Sequence, residues 1–221
     1  YSGNDKLLLP VENIELLTRF GQESTELDRL GSSSWQNKKA RLKKKLFEMA
    51  DSLIKLAADR ATKKGISFLP PEYLWDTFCS RFPYQETSDQ VNAISDVLSD
   101  LSSGRPMDRL ICGDVGFGKT EIALRAAFVV ASGGRQVAVI TPTTLLTRQH
   151  YGNFEKRFKG LPFEIEQLSR FVSRQKAQKI KEAIKNGGID IIIGTHALLS
   201  SSVNFSKLGL VIIDEEQHFG V

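Results

Sequence analysis

One segment of eight residues constrains the possible fold of this chain more than any other part of its sequence. Residues 113–120 read Gly-Asp-Val-Gly-Phe-Gly-Lys-Thr, which matches the pattern G-x-x-x-x-G-K-[ST] at every fixed position. An apolar run at 110–112 precedes the segment, and residues 121–124 follow it with a helix-favouring sequence. A glycine-rich turn that joins a buried strand to a helix predicts an α/β fold built on a parallel sheet.

The same segment has the chemistry of a phosphate-binding loop. Glycines let the backbone curl until several N–H groups point at one polyphosphate, and the following helix adds a favourable dipole. Lys119 is expected to supply positive charge in catalysis, and the Thr120 hydroxyl to bind Mg²⁺. The alternative is a strand-to-helix turn that binds no ligand. The residues predicted to contact ATP here are Gly113, Asp114, Val115, Gly116, Phe117, Gly118, Lys119 and Thr120.

Residues 66–221 alternate between predicted strands and predicted helices. Most of the strands are continuous Val, Ile and Leu runs, as expected for a parallel sheet that helices cover on both faces. One strand alternates apolar residues with Glu164 and Glu166, which places it near a sheet edge. The predicted strands are Arg109–Cys112, Gln136–Thr141, Phe163–Leu168, Asp190–Gly194 and Leu208–Asp214. The predicted helices are Ser88–Leu101, Lys119–Ala131, Thr144–Phe158 and Arg174–Lys185.

The last predicted strand ends in acidic residues. Its apolar residues run directly into Asp214-Glu215-Glu216-Gln217. Residues that follow parallel strands line the edge of the sheet at which ligands bind. We expect Asp214 to hold Mg²⁺ and Glu215 to orient or deprotonate the attacking water, so both are candidate catalytic residues. The alternative is a helix with acids in its first turn, which is favourable by itself.

Two regions of different character precede residue 66. Residues 1–25 contain a short predicted strand at Lys6–Val11, and residues 26–65 contain a long predicted helix after a Gly-Ser break. Apolar residues on this helix are spaced by four and three, which forms one stripe. Basic residues crowd positions 38–45, where they oppose the helix dipole. This cluster is either a solvated face or a contact with DNA or an acidic protein surface.

The composition allows one sizeable domain and a smaller appendage within 221 residues, 41% of them hydrophobic. The formal net charge of +4 points only weakly to an anionic partner. Cys79 and Cys112 stand in no metal-binding spacing, which favours a reduced, cytoplasmic location. No apolar run approaches the length of a membrane span, so no membrane contact is expected. The chain lacks a starting Met and is expected to be an internal part of a longer protein.

The loop and the acidic box together resemble motifs I and II of superfamily 2 helicases and translocases. Residues 141–150 resemble motif Ia of that superfamily. Residues 193–199, Ile-Gly-Thr-His-Ala-Leu-Leu, resemble a segment shared by RecG-like enzymes and the bacterial transcription-repair coupling factors. Further segments resemble the coupling factors in particular, and this similarity covers nearly the whole chain. These segments are 5–12, 27–35 with the basic helix, 82–90 and 168–171.

The resemblance implies a first RecA-like lobe at 66–221, a linker helix at 26–65 and the end of a polymerase-binding domain at 1–25. It implies that Phe82 stacks on the adenine of ATP and that Gln90 hydrogen-bonds the base edge. The alternative for Gln90 is a helix capping box with Thr87. It also implies contacts with the DNA backbone, and for Arg148 and His196 a buried or solvent-bonded role is an alternative. The residues in these DNA-contacting segments are Thr143, Arg148, Thr195 and His196.

By the same resemblance, an apolar surface docks on the β subunit of RNA polymerase; the alternative is a plain core strand. Its residues are Leu7, Leu8, Leu9, Pro10 and Val11.

The whole protein is then expected to be an ATP-dependent translocase on double-stranded DNA that displaces stalled polymerase and recruits nucleotide excision repair proteins. A second lobe would supply an arginine finger worth about 10³–10⁵ in rate. The chain alone is therefore expected to bind Mg-ATP weakly and to hydrolyse it negligibly. The rival hypotheses are a RecG-type branched-DNA helicase and a binding module with a regulatory or vestigial nucleotide site.

Overall fold

The computed structural model describes residues 6, 8, 10, 11, 33–114 and 116–215. The chain divides into two compact units, Tyr1–Thr62 and Lys63–Val221. The division into three parts at residues 25 and 65 remains a prediction.

The first unit contains one long helix, α1, at Ser33–Thr62, which confirms the helix predicted between residues 26 and 65. Its apolar stripe is exposed, with Leu46 at 57% and Leu53 at 65% of their full accessibility. The ion pair between Lys55 and Asp51 spans 2.8 Å and joins successive turns. Such surface pairs contribute only about 0.2–0.5 kcal/mol each.

The predicted strand at Lys6–Val11 is wrong at the residues that the structure describes. Lys6, Leu8 and Pro10 lie outside helices and strands, and Val11 has a 3-10 conformation. Leu8 is 90% exposed and Val11 is 83% exposed, so neither packs against a neighbouring strand. A strand needs such a neighbour to pair its backbone groups, and Leu7 and Leu9 lie outside the described residues.

The sheet of the second unit has four parallel strands in the order β2-β3-β1-β4. Strand β1 spans Gln136–Ile140, β2 spans Ile165–Leu168, β3 spans Ile191–Gly194 and β4 spans Leu208–Ile213. Each confirms a predicted strand, and β2 lies at an edge, as its alternating glutamates predict. The α/β class and the RecA-like lobe are therefore confirmed.

The register of the strands fixes where the site can form. Ile140 of β1 lies beside Gly194 of β3 and Ile213 of β4. The residues that follow these three strands therefore leave the sheet at one edge.

The helices of this unit confirm the predicted ones and add two that were missed. The predicted helices are α3 at Ser88–Ser102, α4 at Lys119–Ser132, α5 at Thr144–Phe158 and α6 at Arg174–Lys185. The additional elements are helix α2 at Trp75–Ser80 and a 3-10 turn at His196–Leu199. No helix within the described ranges is both long enough and apolar enough to cross a membrane.

Helices cover both faces of the sheet. Val137 and Val139 of β1 belong to a core supplied by α2, α3, α4 and α5. Ala138 and Ile140, which alternate with them, belong to a second core supplied by α6 and the 3-10 turn. Burial on both faces explains why β1 is a continuous apolar run.

The predicted strand at Arg109–Cys112 is wrong. These residues lie outside helices and strands, and Leu110 is 65% exposed. Arg109 is instead bound to two acids of α3, at 2.9 Å from Asp96 and 2.5 Å from Asp100. No strand within the described part of the chain pairs with this segment, so its apolar character alone does not make it a strand.

Candidate functional site

The phosphate loop enters helix α4 through left-handed glycines. Gly116 has φ +87° and Gly118 has φ +77°, values at which a residue with a Cβ is strained. The Lys119 ammonium donates hydrogen bonds to the carbonyl oxygens of Gly113, at 2.5 Å, and Asp114, at 3.0 Å. The loop therefore curls around its own lysine, while Val115 lies outside the described residues.

Gln90 of α3 holds the loop from the side. Its Nε2 donates to the Phe117 carbonyl at 2.9 Å, and its Oε1 accepts from the Thr87 N–H at 3.0 Å. The predicted capping box is present, because the Gln90 N–H also donates to the Thr87 hydroxyl. A Cβ at Gly118 would lie 2.3 Å from Gln90 Nε2, so a side chain there would push the Gln90 amide away from the loop.

A buried network of charges lies behind Phe82, which is half-buried. Arg125 of α4 donates to Glu86 and, at 2.8 Å, to Glu121. Arg157 of α5 donates to the same Glu121 carboxylate at 2.6 Å. The two guanidinium carbons lie 6.0 and 5.7 Å from the Phe82 ring centroid, within range of a cation–π contact.

This network links the predicted adenine site to the helix that carries the phosphate loop. The hydrogen bond from Arg125, helped by the nearby positive charge, holds the pKa of Glu86 below its ordinary value. The sequence signal that could have revealed part of the network is the i,i+4 spacing of Glu121 and Arg125. The partners Glu86 and Arg157 are too distant in sequence for any such pattern.

Asp214 is fixed at both its backbone and its side chain. Its N–H donates to the Ile140 carbonyl at 2.9 Å and so continues the pairing of β1 with β4. Its Oδ2 lies 2.8 Å from Nε2 of His150 on α5. Glu215 follows with φ +54°, a left-handed value that is costly for a residue with a side chain and that turns the chain away from the strand. Glu216 and Gln217 lie outside the described residues.

The two predicted motifs lie close enough to interact. The pKa of Asp214 is held below its ordinary value, first by the hydrogen bond from His150 and further by the positive charge of Lys119. Thr120, in the first turn of α4, is the neighbour of that lysine.

The available ligand atoms suit magnesium better than a transition metal. No group of three or more His, Cys, Asp and Glu side chains within the described ranges could hold a metal. Mg²⁺ is usually held by one or two carboxylates, with phosphate oxygens and waters completing the shell. The Asp214 carboxylate and the Thr120 hydroxyl are hard oxygen ligands of this kind, so these residues fit the ion.

Three of the four residues predicted to contact DNA line one groove at the same sheet edge. Thr143 and His196 are exposed, whereas Thr195 is only 6% exposed. Both threonine hydroxyls accept backbone hydrogen bonds, from Leu146 and Ala197 respectively. The groove also contains two basic residues that were not among the predicted contacts, Arg170 and Lys181.

Arg148 does not join this groove. It lies on another face of α5, beside Leu145, Gln149 and Lys156. It is exposed, which leaves a solvent-bonded role open to it. The structure therefore separates the predicted DNA contacts into two surfaces.

Comparison with known proteins gives consistent results. A family model described as DEAD/DEAH box helicase matches residues 87–221. The transcription-repair-coupling factor of Rickettsia bellii is 52% identical over all of this chain, and that of Bacillus subtilis is 48% identical. The chain spans 20% and 19% of the length of these two relatives. A solved structure of RecG bound to a three-way DNA junction aligns with a TM-score of 0.70 at 34% identity, covering 83% of this chain and 26% of that chain.

Proposed function

This chain belongs to the DEAD/DEAH box helicase family, and we propose that its second unit is the ATP-binding lobe of a DNA translocase. One observation carries the proposal: the lysine of the phosphate loop and the carboxylate at the end of β4 lie near enough for Lys119 to lower the pKa of Asp214, in addition to the effect of His150. A loop that recognises phosphates and an acid that binds their metal are thereby joined at one sheet edge.

In this proposal the residues of the phosphate loop and the acidic box each have a specific role. The N–H groups around Gly116 and Gly118 bind the phosphates, and Lys119 turns from the loop carbonyls to the outer phosphates. Thr120 and Asp214 hold Mg²⁺, which neutralises the phosphate charge when bound. Glu215 orients the attacking water.

We assign adenine recognition to Phe82 and Gln90. A Gln side chain has two N–H donors and two acceptor sites, and the bonds to Phe117 and Thr87 use one of each. One donor and one acceptor remain, which is the pattern that pairs with N7 and the amino group of adenine. The capping box and base recognition are therefore compatible.

Equilibrium binding of Mg-ATP to the chain tests this site. Lys119→Ala removes a charge-assisted hydrogen bond worth about 1.5–3 kcal/mol, so affinity is expected to fall about 10–100-fold. Lys185→Ala is the matched control, because that lysine lies in the last turn of α6. Equal binding by wild type and Lys119→Ala would contradict the phosphate-loop assignment.

The chain by itself is expected to hydrolyse ATP negligibly. By resemblance to two-lobed motors, we expect the arginine finger to come from a second lobe. Steady-state ATPase measurements with double-stranded DNA test this expectation, and turnover like that of a two-lobed motor would contradict it.

We assign the whole protein to transcription-coupled repair, supported by the relatives named transcription-repair-coupling factor. It would translocate on double-stranded DNA, displace RNA polymerase through its β subunit, and bring nucleotide excision repair proteins to the lesion. The groove with Thr143, Thr195 and His196 would bind DNA phosphates.

Salt dependence distinguishes the possible DNA-binding surfaces. Neutralising Arg170 and Lys181 should flatten the dependence of DNA affinity on salt by about one unit for each phosphate that these side chains bind. The same measurement with Lys43 and Lys44 of α1 neutralised tests the basic cluster. If the salt dependence of DNA affinity does not change, the basic cluster on α1 is a solvated face and does not bind DNA.

A RecG-type branched-DNA helicase is the second candidate, favoured by the similarity to the RecG structure. Capture of RNA polymerase discriminates between the two. Leu8→Asp in the full-length protein should abolish capture if the segment that contains the exposed Leu8 docks on the β subunit. Absence of polymerase capture by the wild-type protein would favour the RecG-type function.

A further inference from the structure

We propose that His150 is a positioning residue for the metal site, holding the Asp214 carboxylate in the orientation that binds magnesium. This inference rests on the proposed nucleotide site and adds a residue outside the phosphate loop and the acidic box. It starts from the hydrogen bond of 2.8 Å between His150 Nε2 and Asp214 Oδ2.

The tautomer of His150 follows from its partner. An ionised carboxylate only accepts hydrogen bonds, so a neutral imidazole must carry its hydrogen on Nε2 to make this contact. His150 is only 8% exposed, and its Nδ1 has no hydrogen-bond partner among the described residues. The hydrogen bond to Asp214 is thus the polar contact that orients the buried ring.

The helix beneath the ring is firmly anchored. Thr143 caps the start of α5 by accepting from the Leu146 N–H. The Thr147 hydroxyl lies 2.7 Å from that of Thr141, at the end of β1, and Phe154 is fully buried. His150 lies between these anchors, so its position is set by the sheet and the core.

The consequence for Asp214 is a carboxylate whose orientation is fixed from two sides. Its Oδ2 is bound to His150, and the carboxylate also accepts a hydrogen bond from the Glu215 backbone. A carboxylate has about four acceptor sites, so sites remain for a cation or a cation-bound water. Groups that hydrogen-bond a metal ligand typically change metal affinity about 10–100-fold when removed. His150 is expected to act in this way, through Asp214 and without touching nucleotide.

The test separates the effect on magnesium from the effect on nucleotide. ADP affinity of the chain is measured by calorimetry with saturating Mg²⁺ and again with EDTA. The magnesium effect is the ratio of the ADP affinity with Mg²⁺ to the ADP affinity with EDTA. In His150→Leu this ratio should fall about tenfold, while the ADP affinity in EDTA stays at the wild-type value. His150→Gln should retain the magnesium effect, because the glutamine amide N–H reaches the position of the histidine Nε2.

Two controls keep the result interpretable. Phe158→Leu perturbs the buried end of α5, where the ring packs against Phe78 and Phe163, and should leave the magnesium effect unchanged. His150→Asn is too short to reach Asp214 and replaces His150→Leu if the latter does not fold by circular dichroism.

Three results would overturn the inference: an unchanged magnesium effect in His150→Leu, equal weakening of ADP binding with and without Mg²⁺, or the same loss of the magnesium effect in Phe158→Leu. Failure of the nucleotide site itself has a separate signature. In that case the wild type binds ADP no better than Lys119→Ala does, whatever residue stands at position 150.

Discussion

The two sides of the candidate site are built by different means. The phosphate loop is held by side chains: Gln90 binds the carbonyl of Phe117, whose ring is 67% exposed, and Lys119 binds the loop's own carbonyls. The backbone on the carboxylate side is an extension of the sheet, because the Asp214 N–H donates to the Ile140 carbonyl and continues the β1–β4 pairing. The shape of the loop therefore depends on the side chains of Gln90 and Lys119, whereas the sheet fixes the backbone of Asp214 and His150 orients its carboxylate.

The largest loss of stability is expected from the buried charge network behind the phosphate loop. Arg157 donates through one nitrogen to Glu121, and its other two nitrogens have no partner among the described residues. Glu121→Gln leaves Arg125 and Arg157 with one carboxylate fewer in a buried site, which should cost about 3–5 kcal/mol of unfolding free energy. Urea denaturation measures this cost.

The exposed Glu164→Ala serves as the control for that prediction, with an expected change within about 0.5 kcal/mol. A loss below about 1 kcal/mol for Glu121→Gln would show that the loop side does not depend on the buried charges.

A smaller effect distinguishes the two left-handed glycines of the loop. Gly116→Ala meets no atom within 4 Å and should cost only the backbone strain, about 1–2 kcal/mol. Gly118→Ala adds a collision with Gln90 Nε2 and should therefore cost more. The excess should disappear in a Gln90→Ala background, which a double-mutant cycle of unfolding free energies measures. Equal costs in the wild-type background would mean that Gln90 does not hold the loop.

The smallest expected effect is a change in how folding stability depends on acid pH. One carboxylate on each side of the site contributes to it. The folded-state pKa of Asp214 is below its ordinary value of 3.8, owing first to His150, and that of Glu86 is below 4.5, owing first to Arg125. A carboxylate with a depressed pKa stabilises the fold above its unfolded pKa, and the contribution is lost as pH falls through the folded pKa.

Unfolding free energy measured between neutral pH and about pH 2 should therefore fall less in Asp214→Asn and in Glu86→Gln than in wild type. The exposed Glu164→Gln should follow the wild-type curve. If Asp214→Asn also follows that curve, its carboxylate is not held by His150 and Lys119 in solution.

Much of the lobe could be predicted from sequence because its signals are local. Helices α5 and α6 were predicted to the residue, and the continuous apolar runs of β1 and β3 indicated buried parallel strands. The equally apolar run of β4 forms the other edge strand, where Val211 and Ile213 are exposed. The run at 110–112 failed because an apolar segment does not reveal whether a neighbouring strand is present to pair with it.

The candidate site shows the same limit. The capping box of Thr87 and Gln90 is a pattern across three residues and was found. His150 and Asp214 are 64 residues apart in sequence, and Arg157 and Glu121 are 36 apart. No local sequence pattern can therefore predict either contact. These contacts exist because the register of the sheet and the packing of α5 bring distant side chains together.

The nucleotide site is tested most directly by a crystal structure of this chain with magnesium and a non-hydrolysable ATP analogue. We expect phosphate oxygens within hydrogen-bonding distance of the N–H groups of Gly116 and Gly118, with the Asp214 carboxylate facing the metal. A nucleotide bound elsewhere, or a phosphate loop empty at saturating analogue with Asp214 turned away, would contradict this expectation.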